Sequence, residues 1–362
     1  MSNHKELISK LKEASGRDIK KRIFVGFDGF VDKIQNVVKS GDDDSVQYFK
    51  TIGEFSEATA KAAGKSSQFE LRTKVKKLGG NAPIMAHSLG SLGITNTCMG
   101  SMGYPDLRPV FKKLHKNVKT VSVCDPGETN ALEFNDGKLI LSEMSAFKSF
   151  NWKALRETPG SDDIKREIEA CDLIALVDWS NLAQCTSIWK GILDDILPDL
   201  GSKKKFFFDI ADPGRKSADE ARDVIDVISK YSEYGEVVLG INENEAYKLS
   251  ELVTGREANN SNLEKTGQAL FDEMKITGLL IHPVDRAMMI TSDGVISEKG
   301  KVVEEPQIST GGGDNFNAGF CLGWLLGLEK NECLITGMAT SGSYVSEGES
   351  QSIDGIIGYL EA

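Results

Sequence analysis

Short apolar runs recur along the chain, and each stops at a polar residue or a glycine. Ile23-Phe24-Val25 leads to Gly26, Leu173 to Val177 leads to Asp178, and Phe206 to Phe208 leads to Asp209. Val237 to Ile241 then runs into Asn242, and Leu279 to Ile281 into His282. Continuous apolar runs of this length suit strands buried on both faces, as in a parallel sheet. Helical patterns lie between them. Ser217 and Glu220 are spaced as a capping box, and Ala221, Val224, Ile225, Ile228 and Tyr231 follow as one stripe. A second pattern runs from Leu263 through Leu270, Phe271 and Met274 to a stop at Gly278. This alternation predicts an α/β fold with an open, mostly parallel, doubly wound sheet flanked by helices, whose ligands sit beyond the carboxyl ends of the strands. Asp178 and Asp209 either face that crevice or merely cap turns and helices, and the pattern weighs the two equally.

Other stretches break the alternation. Asn135-Asp136-Gly137 separates Ala131, Glu133 and Phe134 from Lys138 to Leu141, which is a hairpin signal. It predicts a small antiparallel β lid over the crevice, built from segments near 33–50 and 120–145. Gly53 to Lys77, rich in Ala, Lys and Ser, reads as a helix and a connecting loop without a clear strand. Residues 1–22 carry an amphipathic pattern through Leu7, Ile8 and Leu11 and read as a surface helix, which leaves 23–362 as one α/β domain.

Composition narrows the function. The formal net charge of the 362 residues is −11, with no concentrated basic stripe, which argues against nucleic acid as a partner. No apolar run is long enough to span a membrane. Cys98, Cys124, Cys171, Cys185, Cys321 and Cys333 form no CxxC pair and sit mostly among apolar neighbours, as expected of reduced, buried thiols in a cytoplasmic protein.

The segment with the most chemical content is Thr310-Gly311-Gly312-Gly313-Asp314, which opens a helical pattern through Phe316, Phe320 and Trp324. A glycine run at a helix start presents bare backbone N–H groups and the positive end of the helix dipole, an arrangement that suits an anion. A carboxylate beside it can accept the proton of a hydroxyl attacking phosphorus. Taken alone, Asp314 reads equally well as a helix cap.

Gly311-Gly312-Gly313-Asp314-Asn315-Phe316-Asn317-Ala318-Gly319-Phe320 resembles the C-terminal signature of the ribokinase-like (PfkB) carbohydrate kinase family. Leu78-Gly79-Gly80-Asn81-Ala82, ending Leu89-Gly90-Ser91-Leu92-Gly93, is similar to the family's N-terminal Gly-Gly signature. Asn242-Glu243-Asn244-Glu245 resembles its NxxE motif, and Gly26 to Asp32 its first strand with a substrate-binding Asp. The resemblance spans about Ile23 to Gly348. It implies a three-layer ribokinase-like sandwich and an ATP-dependent phosphotransferase acting on an alcohol group of a sugar or sugar-like molecule.

Carried over by position, Asp314 is implied as general base and the amides of Gly311, Gly312 and Gly313 as its anion hole. Asn242 and Glu245 are implied to organise Mg²⁺ through water. Asp32, or the alternative Asp28, together with Gly79, Gly80 and Asn81, is implied on the acceptor side, Asp32 being favoured. Asn242, His282, Thr310, Gly311, Gly313 and Ser341 are implied around ATP. The chain departs from the family in three places. Ile84 stands at the position of a hydroxyl-contacting Asn, and Ile281-His282-Pro283-Val284 replaces a Thr-x-Gly nucleotide contact. Ile308 replaces an Asp of the frequent monovalent-cation site, which backbone carbonyls can still form. The lid supplies a dimer interface in many members, so a homodimer through it is expected. Lys33, Lys74 and Arg108 can meet an anionic acceptor but read better as surface ion pairs. Competing readings are a catalytically impaired ligand-binding or regulatory protein, for which the three departures speak, and a nucleoside kinase. A dinucleotide-dependent oxidoreductase is disfavoured, because Gly26-Phe27-Asp28-Gly29 is not G-x-G-x-x-G.

Overall fold

The structure is a computed structural model and describes residues 2–42, 45–158, 164–255, 262–308 and 310–362. Met1 of the N-terminal helix, two residues of the 33–50 lid segment and Ser309 lie outside the described residues.

Nine strands form the central sheet, in the spatial order Gly294–Lys299, Arg286–Thr291, Gly278–Ile281, Gly235–Ile241, Lys204–Asp209, Leu173–Leu176, Arg22–Phe27, Thr95–Gly100 and Val118–Ser122. The pairings from Gly278–Ile281 to Val118–Ser122 are all parallel, and an antiparallel hairpin closes the other edge. The apolar runs are continuous because successive residues enter different cores. Ile174, Leu176, Phe206, Phe208 and Leu239 face one core, while Leu173, Ala175, Phe207 and Val238 face the other. The second core also takes the helices Asn81–Ser91, Gly312–Leu326 and Lys330–Glu347, so the helices that carry the glycine motifs share one face of the sheet. The box between Ser217 and Glu220 is formed in both directions. Helix Ser2–Ser15 buries Leu7 and Leu11 completely in the same core as Ile356 and Ile357 of Ile353–Glu361.

A second sheet of five strands makes the lid: Phe30–Ser40, Gln47–Tyr48, Leu71–Gly79, Gly127–Phe134 and Gly137–Glu143. It differs from the sequence expectation in three ways. Phe30–Ser40 pairs in parallel with Gly127–Phe134, so the lid is mixed rather than wholly antiparallel. Val118–Ser122 belongs to the edge of the central sheet, so the lid begins later than 120. The stretch read as helix and loop contains helix Ile52–Ala60 followed by strand Leu71–Gly79. That strand is exposed along most of its length, so no buried face imposes a hydrophobic alternation on it. Its backbone pairing to Phe30 through Val37 holds it, and Lys74, Lys76 and Lys77 charge it at the edge of the sheet. The hairpin at Asn135-Asp136 forms as expected, with Phe134 opposite Gly137. Val37, Phe49 and Leu132 give the lid a small core of its own.

Candidate active site

Strand Arg22–Phe27 lies between Thr95–Gly100 and Leu173–Leu176, so the sheet grows outward from it in one direction and then in the other. The switch point therefore falls beside Arg22–Phe27, where a doubly wound sheet opens its crevice. Asp28 and Asp178 sit at the carboxyl ends of the two strands flanking that point and are fully buried. Both Asp28 oxygens accept backbone N–H groups, from Asn81 and from Ala82, each at 2.7 Å, so Asp28 caps helix Asn81–Ser91. Gly80 has φ of 96°, and a Cβ there would come within 2.4 Å of Asp28 Oδ2. Burial and the neighbouring Asp178 push the Asp28 carboxyl well above the usual range. Asp178, at φ 59°, accepts from Asn181 Nδ2 at 2.7 Å, and its Oδ2 has no hydrogen-bond partner among the described residues. Burial pushes it up to about 6.

Asp209 ties the two glycine-rich segments together. Its Oδ2 accepts from Asn317 Nδ2 at 2.7 Å, on helix Gly312–Leu326. Its Oδ1 accepts from Ala211 N at 2.8 Å and from Asn81 Nδ2 at 3.4 Å. Asp209 thus caps no helix and links two. Asp314 lies in the first turn of Gly312–Leu326, behind the N-cap Gly311, whose φ is 94°. Burial, then Asp209, Asp178 and Glu245, push its carboxyl well above the ordinary carboxylate range. Asn242 and Glu245 form a reciprocal capping box: Asn242 Oδ1 accepts from Glu245 N at 2.9 Å and Glu245 Oε2 from Asn242 N at 2.8 Å. Burial and Asp209 raise Glu245 to about 8. This group of mutually repelling acids suits a nearby cation. Among the described residues no three His, Cys, Asp or Glu side chains stand close enough to hold a metal ion directly. The donor set therefore fits a hydrated magnesium ion carried by phosphates better than a cage of protein ligands.

A cavity of about 330 Å³ opens beside the glycine run and is lined by Asn242, His282, Gly312, Gly313, Met338 and Ser341 among others. His282 stacks on Phe316 with ring centroids 4.6 Å apart, and burial lowers it to about 4, so the ring is neutral and has one N–H to give. Its Cε1 lies 3.5 Å from the position of a Cβ on Gly313. Thr310 is exposed and its carbonyl accepts from the Tyr344 hydroxyl at 2.9 Å.

Asp32 stands apart from this group, on lid strand Phe30–Ser40, opposite Lys77 and Thr129. Its carboxylate packs on Gly79, where a Cβ would meet Oδ2 at 2.3 Å. Burial raises its pKa against the opposing pull of Lys77 and Thr129. The two aspartates left open by the sequence are thus distinguished: Asp28 is committed to the helix start, and Asp32 is only partly covered. Lys33, Lys74 and Arg108 pair with Glu128, Glu133 and Asp125.

The model of the family described as prokaryotic ketohexokinase matches residues 7–362. The chain belongs to the prokaryotic ketohexokinase family. It is a sugar kinase, a phosphotransferase acting on a small molecule. A ketohexokinase from Haloferax volcanii is 26% identical over 351 residues, covering 94% of this chain and 92% of that protein. Among solved structures, a carbohydrate kinase from Agrobacterium tumefaciens aligns with a TM-score of 0.64 at 16% identity, over 94% of this chain and 97% of that one. Arabidopsis thaliana ribokinase, solved with ribose and ATP, aligns with a TM-score of 0.63 at 14% identity, over 94% and 99%. At these identities the structures establish a shared ribokinase fold. Within this fold, Asp209 links the helix opened by the glycine run to the helix that follows the Gly79-Gly80 turn.

Two members of the site escaped the sequence reading. Asn317 stands one turn after Asp314 on the same helix, a spacing that carried the signal. Tyr344 comes from helix Lys330–Glu347, far along the chain, and nothing in its local sequence marks it.

Proposed function

We propose that the protein transfers the γ-phosphoryl group of ATP to a hydroxyl of a ketohexose, with Asp314 as general base. The observation that carries this reading is the position of Asp314 in the first turn of a glycine-opened helix whose Gly312 and Gly313 line the cavity at His282. The N–H groups of Gly311, Gly312 and Gly313 point charge-stabilising dipoles at the transferred phosphoryl oxygens. Asp314, made more basic by burial and then by its acidic neighbours, takes the proton as the hydroxyl oxygen attacks. Asn242 and Glu245 would hold Mg²⁺ through water, and the ion would supply neutralisation of phosphate charge. His282 and Ser341 face the nucleotide, and Asp32 orients acceptor hydroxyls over Gly79. The lid keeps water from the phosphoryl group.

Six free cysteines, five of them buried, support a cytoplasmic setting. Ile140 and Leu141, exposed on a lid edge strand, support a homodimer through the lid. A coupled ADP-release assay across D-fructose, aldoses and nucleosides tests the acceptor. Turnover is expected to be fastest with the ketohexose. Preference for a nucleoside, or binding without turnover, would overturn the reading.

A further inference from the structure

The peptide group that joins Thr310 to Gly311 carries a carbonyl on one side and the first amide of the glycine run on the other. Such a group is planar and trans, so its C=O and N–H point in opposite directions and turn together. The Tyr344 hydroxyl donates to this carbonyl at 2.9 Å, and a hydrogen bond to the oxygen also polarises the N–H across the plane. The tyrosine is itself fixed. It is 7% exposed on helix Lys330–Glu347, and its Oη lies 2.9 Å from where a Cβ on Gly311 would be, with Ile84 Cγ2 at 3.3 Å. On the same helix, Ser341 and Val345 pack against Gly312, and the Val345 carbonyl accepts from Gln307 N at 2.9 Å. This helix is therefore the floor on which the glycine run is laid. Burial, then Asp314 and Asp32, push the phenol up to about 12, so it stays an O–H donor at neutral pH.

We propose that Tyr344 is a positioning residue for phosphoryl transfer, which aims the Gly311 amide at the transferred group by holding the Thr310 carbonyl. The inference rests on the reading of Gly311 to Gly313 as an anion hole. A weakened hole matters in the transition state, where charge on the phosphoryl oxygens is greatest, and little for the bound ground state.

Tyr344→Phe keeps the ring and removes the hydroxyl. It is expected to lower kcat about 10-fold, less than deletion of a whole anion-hole donor, with KM for ATP and for D-fructose nearly unchanged. Affinity for ADP with aluminium fluoride, a mimic of the transferring phosphoryl group, is expected to fall by a similar factor in magnesium buffer with D-fructose, while affinity for ADP alone holds. A normal kcat would overturn the proposal, as would equal losses of affinity for ADP and for the mimic, since that pattern marks a merely structural tyrosine. Asp314→Asn measured alongside separates the two levels. If it is inactive while Tyr344→Phe is normal, only the role of Tyr344 fails. If Asp314→Asn turns over normally, Asp314 is not the base and the reading of the glycine-opened site fails with it.

Discussion

On the proposed phosphoryl-transfer side of the crevice, Asp209, Asn317 and Glu245 are buried; Asp209 and Asn317 are joined between elements of the central body, and Glu245 is held in its own helix cap. On the proposed acceptor side, Asp32 sits on a lid whose outer strand Leu71–Gly79 is mostly exposed and whose core is three buried residues. Lys33–Glu128 and Lys74–Glu133 are exposed pairs of the kind that contribute little to stability. Under the proposed assignment, the chemistry is set in the more deeply buried part of the molecule and acceptor choice in the less buried part.

The division can be broken most directly at Asp314. Asp314→Asn should reduce turnover by about 10²–10⁴-fold, the usual worth of a general base, with little change in affinity for a nonhydrolysable ATP analogue. Near-normal turnover in the ADP-release assay would remove the base from the site. Across the crevice, Asp32→Ala should raise KM for the ketohexose roughly 10–100-fold through lost charge-assisted hydrogen bonds, leaving KM for ATP within about 2-fold. A matching rise in KM for ATP would mean that the two halves are not separable. The smallest effect is on stability. Glu245 is raised from 4.5 to about 8 in the folded chain, which therefore holds a proton that the unfolded chain releases. Its contribution is complete below about pH 4.5 and is lost as pH rises through about 8. Glu245→Gln keeps an acceptor for the Asn242 amide and cannot ionise, so its Tm should exceed that of the parent by about 2–4 °C at high pH and converge with it at low pH. Parallel melting curves across that range would assign the burden to the other acids.

The central sheet was legible because burial on both faces writes itself as unbroken apolar runs, and every such run named from the sequence is a strand. The lid was less so. Leu71–Gly79 is held by its backbone and faces water, so its side chains record no pattern, whereas the tight turn at Asn135-Asp136 left a local signature. Within the crevice, the local settings of motif residues were readable: the glycines and Asp314 open a helix, and Asn242 and Glu245 cap another. Relations across the chain were not. That Asp28 caps one helix while Asp32 lies over Gly79 depends on which way the chain turns at Gly29, and residue identity alone does not fix this. The partners of Asp209 and Tyr344 likewise come from distant elements brought together only by packing.

The joint between body and lid is short. The chain leaves the central sheet through Asp28-Gly29, returns at Gly80, and crosses again after Ser122 and near Met144. At this seam the Asp28 carboxylate grips Asn81 and Ala82, and Gly127 N bonds to Gly29 O at 3.0 Å. Seen from an engineer's bench, these few residues are a socket. If the lid sets acceptor preference as proposed, strands of a related lid grafted above this socket would carry that preference over while the buried acids below stay in place.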